Sequence, residues 1–445
     1  MGDREPIPPG RKIWVVALPV MFAELSETIL HVIDTALVGR VGTIELAALV
    51  LADTVLEVWL VVVIGLAEAL QIVVARRSGE GRDSSVGATF NRAFPVILVT
   101  SIGLLVGIKL SSPVVSGLIA ESESVARGVD RFLQVAAFGV PFLAASFAYS
   151  AFYVGISRTR ALILATVVLA AVNGVLGYAL VLGRFGAPTL GLEGAAWASV
   201  VAEVATALVL ALYAFQRQYR TYGIFRSLAP ATERIRPLAL LAAPIALYGI
   251  IEAAQWLFFF VILEQVGTDV LAASNVIYAW LLVLLIPSEA ISEVTVSSVS
   301  SEIGGAREDR VIRSVRRFLA HGVFASVPVA LVAILAPGWV FSIFGGATQP
   351  SDEALQALQL VALGLIVGVP ALIWTSAVHG TGDTVAGSAF ESLGAIAMLA
   401  WAFVAAIVVE GGAGAIWAAV PASWALAFAA SYAWMKSGRW KRASV

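Results

Sequence analysis

The sequence has no cysteine, only three histidines and few charged residues. The absence of cysteine excludes disulfides and thiolate metal sites, and three histidines leave little for a histidine-based metal centre. Charged residues make up 13% of the 445 residues, whereas 60% are hydrophobic. A soluble domain is about a quarter charged, so this chain has too few charges to cover a soluble surface. The composition therefore predicts a membrane protein with many spans.

Apolar runs long enough to cross a bilayer as helices, about 20 residues each, occur twelve times. They cover roughly residues 13–39, 45–75, 93–119, 132–156, 161–183, 194–215, 238–263, 270–300, 318–345, 354–378, 385–409 and 413–435. A polar, arginine-rich stretch divides them into two groups of six. The predicted fold is therefore an all-α polytopic membrane protein. It has an N-terminal six-helix lobe at 1–215, a cytoplasmic linker at 216–236 and a C-terminal six-helix lobe at 237–445.

The orientation follows from Lys and Arg, which accumulate on the cytoplasmic side of membrane proteins. If the N-terminus is inside, 23 of the 28 basic residues fall on inner segments. The outer side keeps Arg40, Lys109, Arg127, Arg131 and Arg184. This asymmetry predicts a multi-pass protein of the inner (plasma) membrane, with both termini in the cytoplasm and the lipid bilayer around it. Because the basic residues form short clusters between apolar runs, nucleic-acid binding has no support.

The two halves of the sequence repeat each other at a spacing of 225 residues. The aligned pairs include Pro19 with Pro244, Glu27 with Glu252, Glu68 with Glu293, Gly79 with Gly304 and Arg82 with Arg307. Chance similarity between apolar segments would not align proline, glutamate and glycine together. Because each half has an even number of spans, both halves start on the same side. The sequence therefore predicts two six-helix bundles related by a pseudo-two-fold axis along the membrane normal, which is typical of a transporter.

Acidic residues occur within the predicted spans, although a charge at mid-bilayer costs roughly 2.5–3.5 kcal/mol. They are Glu24, Glu27, Asp34, Asp53, Glu57, Glu68, Glu203, Glu252, Glu289, Glu293 and Glu391. No Arg or Lys lies well inside a span to pair with them. A carboxylate in this setting reaches water, takes up a proton or holds a cation. The pattern favours a protein that handles protons, metal cations or organic cations, and it disfavours anionic substrates.

Four polar residues share one stripe of the first predicted helix. Glu24, Glu27, His31 and Asp34 are spaced by three, four and three residues, which places them on one helix face. A polar stripe on an apolar span faces the bundle interior or a wet cavity. Two interpretations stay open. One is a relay for protons or cations with Asp34 as its leading member, and the other is a hydrated wall of neutral, hydrogen-bonded carboxyls.

Other functional classes lack their sequence signals. The chain has no P-loop, no HExxH motif and no Ser-His-Asp grouping, so neither ATP hydrolysis nor an enzyme is supported, and no cofactor is expected. A flippase for lipid-linked oligosaccharides would need buried Arg or Lys to hold pyrophosphate, and the spans supply none at mid-membrane. The basic loop motif that major-facilitator carriers usually have between the second and third helices is not evident.

A set of short segments, spread over nearly the whole chain, resembles one transporter family. The segments are Ala17-Leu18-Pro19, Glu27, Asp34-Thr35-Ala36-Leu37-Val38-Gly39-Arg40-Val41-Gly42-Thr43, Val74-Ala75-Arg76-Arg77-Ser78-Gly79, Asn173, Gly194-Ala195-Ala196-Trp197-Ala198-Ser199 and Gly380-Thr381-Gly382-Asp383-Thr384. In this order they resemble the multidrug and toxic compound extrusion (MATE) family, most closely its prokaryotic DinF-like branch. The resemblance implies a secondary antiporter that exports cationic, often aromatic compounds and is driven by an inward proton or sodium gradient.

The resemblance also implies a coupling site in the N-terminal lobe. The family's first-helix aspartate, fifth-helix asparagine and sixth-helix hydroxyl fall on Asp34, Asn173 and Ser199. On the stripe of the first helix, Glu27 and Glu24 are expected to support Asp34. Some members have an acid four residues after the asparagine, where this chain has Gly177, so a sodium cage like theirs is not expected here.

In sodium-coupled members, a seventh-helix glutamate and a tenth-helix aspartate act in the C-terminal lobe. Glu252, eight residues after Pro244, and Asp383 match those positions. The expectation is a monomeric antiporter that works by alternating access, with proton coupling favoured over sodium because the second acid of the N-terminal lobe is missing. The sequence leaves open whether a sodium ion binds at Asp34 or at Glu252. The alternative function is a flippase or exporter for a lipid-linked compound or a metabolite on the same fold.

Overall fold

The computed structural model describes residues 10–225, 236–344 and 350–442. The first nine residues, with Arg4, lie outside the described ranges. So do residues 226–235 of the predicted linker, with Arg226 and Arg234. Within the described ranges all regular secondary structure is helical, which confirms the all-α prediction.

Twelve helices are long and apolar enough to cross a membrane in the described part of the chain, as the sequence predicts. They are α1 (Gly10–Gly39), α2 (Thr43–Gly79), α3 (Asp83–Ile119), α4 (Glu123–Gly155), α5 (Arg160–Leu182), α6 (Leu192–Arg217), α7 (Arg236–Val266), α8 (Thr268–Gly304), α9 (Glu308–Leu335), α10 (Asp352–Gly380), α11 (Thr384–Val408) and α12 (Ala413–Lys436). Short helices follow α6, α9 and α12 at Tyr219–Tyr222, Pro337–Phe344 and Arg439–Arg442.

Some helices are longer than the apolar runs that predicted them. Helices α3 and α9 begin at Asp83 and Glu308 instead of near residues 93 and 318. A helix of 37 residues, such as α3, is about 56 Å long, whereas the hydrocarbon core of a bilayer is about 30 Å thick. Hydropathy finds the part of a helix that suits the bilayer core, so it misses polar turns at the ends.

The ninth predicted span ends earlier than expected. It was predicted to reach residue 345, but α9 ends at Leu335 and a separate helix starts at Pro337. Ala336, which precedes Pro337, has a non-helical backbone with φ −136° and ψ 51°, because a following proline disfavours the α region, and α9 ends there. Residue 345 itself lies outside the described ranges.

The internal repeat is visible in the helix boundaries. Helices α2 and α8 are both 37 residues long, and their limits, Thr43–Gly79 and Thr268–Gly304, differ by 225 at each end. The starts of α3 and α9, Asp83 and Glu308, differ by the same number. Equal lengths at a constant offset are expected when two halves fold in the same way, which confirms the repeat read from the sequence.

The chain divides into two compact units. The N-terminal unit is Leu18–Ala246, and the C-terminal unit is the chain on either side of it. In the N-terminal unit, residues such as Leu37, Ala48 and Leu133 form a buried core. In the C-terminal unit, the core includes Phe259 and Trp417. Each unit buries its own apolar side chains and positions its own acidic residues.

Candidate functional site

Asp34, Asn173 and Ser199 come together in the N-terminal unit from helices α1, α5 and α6. Asn173 Nδ2 donates a hydrogen bond to Ser199 Oγ at 3.1 Å, and the Asn173 side chain also interacts with the Asp34 carboxylate. Asn173 is buried and Asp34 is half-buried. The packing of α5 along α6 brings the amide and the hydroxyl into range, so the structure groups three residues that the resemblance to the MATE family selected.

Two oxygen atoms of this group face the same glycine. An ideal Cβ at Gly177 would lie 3.7 Å from Asp34 Oδ1 and 3.8 Å from Asn173 Oδ1. Both oxygens are buried, and neither has a hydrogen-bond partner among the described residues. A buried acceptor without a donor is costly. The arrangement therefore suits a proton on the carboxylate or a small cation beside it.

A second group of acids lies beside Asp34 on helix α2. His31 Nδ1 is 3.9 Å from Asp53 Oδ2, and Asp53 interacts electrostatically with both Asp34 and Glu57. From the sequence, Asp53 and Glu57 are acids within a predicted span, but they are not part of the predicted site. Their spacing of four residues puts both on one face of α2, so helical periodicity could have identified them as site candidates.

Glu27 is exposed and interacts electrostatically with Glu57 on α2 and with Glu203 on α6. Seven residues separate Glu27 from Asp34, which is about 10 Å along a helix. The acids of the N-terminal unit thus occupy two levels, one around Asp34 and one around Glu27. Glu24 lies nearly one turn before Glu27 and is half-buried. We call Glu27, Asp34, Asp53, Glu57 and Glu203 the N-terminal acid cluster.

The C-terminal unit has its own set of titratable side chains. Tyr248 on α7 interacts electrostatically with Glu252 on the same helix, with Glu289 on α8 and with Glu391 on α11. Glu252 and Glu289 are exposed, and Glu391 is half-buried. Glu252 was selected from the sequence, whereas Tyr248 was not, because a tyrosine in an apolar span gives no separate signal.

Asp383 occupies a helix cap. It precedes α11, and its Oδ1 accepts a hydrogen bond of 3.0 Å from the backbone N–H of Ala386. Aspartate is one of the preferred residues at this position, because its carboxylate satisfies a free amide of the first turn. The resemblance matched Asp383 to an aspartate of the tenth helix, but α10 ends at Gly380.

Comparisons with known proteins agree with this architecture. The MatE family profile matches the chain twice, over residues 19–179 and 244–407. The probable multidrug resistance protein NorM of Aromatoleum aromaticum is 28% identical over 357 residues, which cover 79% of this chain and 74% of that protein. NorM of Chromobacterium violaceum is 26% identical over 402 residues, which cover 85% of this chain and 84% of that protein.

Solved structures share the fold at low sequence identity. A MATE transporter of Vibrio cholerae superposes with a TM-score of 0.88 at 17% identity, covering 97% of this chain and 98% of that chain. A MOP superfamily transporter of Pyrococcus furiosus, for which reversed polarity of the binding pocket suggests a different function, superposes with a TM-score of 0.89 at 15% identity and covers 97% of both chains. The two profile matches start 225 residues apart, at the spacing of the internal repeat. The chain therefore belongs to the MatE family, whose members are transporters and not enzymes.

Proposed function

We propose that this protein is a multidrug efflux antiporter that exports organic cations in exchange for protons. The relatives named as probable multidrug resistance proteins support export of drug-like compounds. The N-terminal acid cluster supports a positively charged cargo. An exchange of protons for organic cations needs a group that can hold either of them. We assign this role to Asp34.

The observation that carries the proposal is the pair of buried oxygens at Gly177. Asp34 Oδ1 and Asn173 Oδ1 point toward one place and lack a donor among the described residues. A proton on Asp34 would turn one acceptor into a donor and relieve this mismatch. When the proton leaves, the restored negative charge attracts a cation to the same place.

Competition between proton and cargo at Asp34 couples the two fluxes. Protonation from the outer side removes the charge that holds the organic cation, so the cation dissociates outward. By linkage, binding of the cation on the inner side weakens proton binding by the same factor. In the described part of the chain, the basic side chain that interacts with these acids is His31.

A proton suits this site better than a sodium ion. Hard cations need several oxygen ligands around them, whereas a proton needs one carboxylate. Glycine at position 177 supplies no side-chain oxygen beside Asp34. We further propose that the protein works by alternating access as a monomer without a cofactor, in the inner membrane with both termini in the cytoplasm.

The test is export of a fluorescent organic cation from proteoliposomes, with a pH step and a sodium step imposed separately. Wild type is compared with Asp34→Asn and with Asp269→Asn, an exposed aspartate in the first turn of α8. We expect export to follow the pH step, to vanish in Asp34→Asn and to persist in Asp269→Asn. Export that follows sodium and survives in Asp34→Asn contradicts the proposal and moves the coupling site toward Glu252.

If neither gradient moves any organic cation tested, the drug-exporter function itself is wrong. The alternative is then an exporter or flippase of a lipid-linked compound or a metabolite on the same fold. The Pyrococcus furiosus transporter, with its reversed pocket polarity, is an example of a similar fold for which a different function has been suggested. The same liposomes, loaded with labelled lipid-linked or anionic compounds, would examine that alternative.

A further inference from the structure

His379 is the only basic residue in two long stretches of the C-terminal half. Residues 237–306 and 350–435 contain no Lys or Arg, and no other His. These stretches include nearly all of α7, α8, α10, α11 and α12. The same helices carry Glu252, Glu289 and Glu391, so within these stretches a positive charge can come only from the imidazole or from a bound cation.

The imidazole lies against one of these glutamates. His379 Nε2 is 3.3 Å from Glu391 Oε2, and the side chains are 8% and 24% exposed. His379 is in the last turn of α10, and Glu391 is about two turns into α11. A half-buried carboxylate and a buried imidazole at this distance are stable as a pair when the pair carries one proton, because each charge offsets the other. The two atoms approach closely without the alignment of a hydrogen bond.

The fold makes room for this contact at Gly387. An added Cβ at Gly387 would collide with Cδ2 and Nε2 of the His379 ring. Any other residue would therefore push the imidazole away from its place one turn below Glu391 on α11. The position of the ring is thus fixed by the backbone of α11 as well as by α10.

Two further features bear on the charge of His379. It occupies the C-terminal turn of α10, where the helix dipole stabilises a cation. Besides Glu391, the nearby acids are Glu252 on α7 and Glu289 on α8. Both interact with Tyr248, as Glu391 does. Glu293 lies one turn further along α8, and Asp383 caps the first turn of α11. These acids favour a proton on the pair. Helix α9, which packs against α10, carries Arg310, Arg313, Arg316, Arg317 and His321 in its first four turns, and their positive charge opposes it.

We propose that His379 and Glu391 form a second proton-binding site, located in the C-terminal unit and separate from Asp34. The pair binds one proton, held on the imidazole beside the carboxylate, and it loses this proton once in each transport cycle. The inference rests on the proposed function, because it assigns a second proton to the same exchange. It predicts that the protein moves more protons per exported cation than Asp34 alone can carry.

The first test observes the histidines directly and needs no transport. The chain has three histidines, so protein labelled with ¹³C and ¹⁵N in histidine gives three imidazole signals, and His379→Gln identifies the one in question. We expect this signal to titrate, with a midpoint that falls by about one pH unit in Glu391→Gln because a nearby opposite charge is removed. The midpoint should stay unchanged in Glu264→Gln, an exposed acid on α7.

Unchanged signals from His31 and His321 show that each variant is folded. A His379 signal that stays in one protonation state between about pH 5 and 9, or a midpoint that is the same in Glu391→Gln, overturns the proposal. Gly387→Ala provides a second variant, because the added methyl group displaces the ring without changing any charge. We expect it to shift the His379 midpoint in the same direction as Glu391→Gln.

The second test counts protons. Proton entry and cation export are measured in the same proteoliposomes with a pH-sensitive dye and a fluorescent cation. We expect His379→Gln to keep export but to take up one proton fewer per exported cation than wild type, and a ratio that does not change overturns the coupling role. If wild type exports no cation under a pH step, the proposed function fails, whereas the titration of His379 still decides whether the pair binds a proton.

Discussion

Asn173 on α5 holds Ser199 on α6 by a hydrogen bond of 3.1 Å from its Nδ2 to the serine Oγ. The same side chain interacts with the carboxylate of Asp34 on α1, so the amide links three helices. An amide that donates to a hydroxyl and also interacts with a carboxylate is fixed in orientation, and it keeps its own Oδ1 aimed toward Gly177. The serine therefore orients the asparagine, and the asparagine orients the acid.

We expect Ser199→Ala to slow proton-driven export without unfolding the protein. The change removes one hydrogen bond, worth about 1 kcal/mol, which corresponds to roughly a fivefold lower initial rate. The measurement is the initial rate of cation export after a pH step. Ser342→Ala is the matched control, because its hydroxyl bonds only locally to the backbone oxygen of Trp339 at an exposed place. Equal rates in the two variants would contradict the positioning role of Ser199.

We expect Gly177→Asp to make export depend on sodium. A side chain at this position starts 3.7 Å from Asp34 Oδ1, so the new carboxylate adds oxygen ligands beside the existing ones. Two adjacent carboxylates repel each other unless a proton or cation lies between them. The measurement is export at increasing sodium concentration and constant pH, where wild type should show no dependence.

The control for this variant lies nearly one turn away on α5. An added Cβ at Gly174 meets nothing within 4 Å, so Gly174→Asp introduces the same charge on the same helix without placing it at Asp34. Sodium dependence that appears in both variants, or in neither, would show that the position beside Asp34 is not what selects the ion.

Most of the fold could be predicted from the sequence, because the apolar runs, the distribution of Lys and Arg and the repeat all depend on how the chain is placed in the bilayer. The site follows only in part. The grouping of Asp34, Asn173 and Ser199 depends on contacts between three helices, and no periodicity within one helix reveals such contacts. It came from resemblance alone. Glu203 shows the same limit, since its neighbour Glu27 is on a helix far away in the sequence.

Asp383, which the resemblance assigns to the C-terminal cation site, also has a local structural role. Asp383 follows Gly382 and stands directly before the first residue of α11, which is the usual pattern of a helix cap. Its carboxylate bonds to a backbone amide of α11. In contrast, His379 is not among the predicted site residues, because a single histidine at the end of an apolar run gives no periodic pattern. Its distance to Glu391 identifies it.

We expect Gly87→Ala to destabilise the N-terminal unit. An added Cβ at Gly87 would collide with the backbone carbonyl of Tyr222. That segment is anchored on α3 by Asn91, which donates to Gly223 O at 3.0 Å and accepts from Phe225 N at 2.7 Å. Overpacking of this kind costs about 1–3 kcal/mol, which should lower the temperature of unfolding in detergent.

Gly103→Ala is the comparison for this stability measurement. Gly103 is on the same helix, and an added Cβ meets nothing within 4 Å. Alanine is favoured over glycine inside a helix by about 1 kcal/mol, so the unfolding temperature should stay the same or rise slightly. A fall of equal size in both variants would mean that the segment from Tyr222 to Phe225 is not held against α3 as described.

Glu203 and Glu27 together predict how the protein distinguishes cargoes by charge. The two carboxylates interact across α6 and α1, so a cation bound near them experiences the charge of both. At a pH high enough to ionise Glu203, replacing it by Gln removes one negative charge and keeps the size of the side chain. If that charge contributes about 1 kcal/mol to the binding of a singly charged cargo, the KM should rise roughly fivefold.

For a doubly charged cargo the Coulomb energy doubles, so the same variant should raise KM about 25-fold. The measurement compares a monovalent and a divalent organic cation of similar size in wild type, Glu203→Gln and Glu193→Gln. Glu193 is also on α6, where it pairs with Arg131 at 3.4 Å, so its loss should affect both cargoes little. Equal changes in KM for the two cations in Glu203→Gln would mean that Glu203 acts through the shape of the site, because an electrostatic contribution must scale with the charge of the cargo.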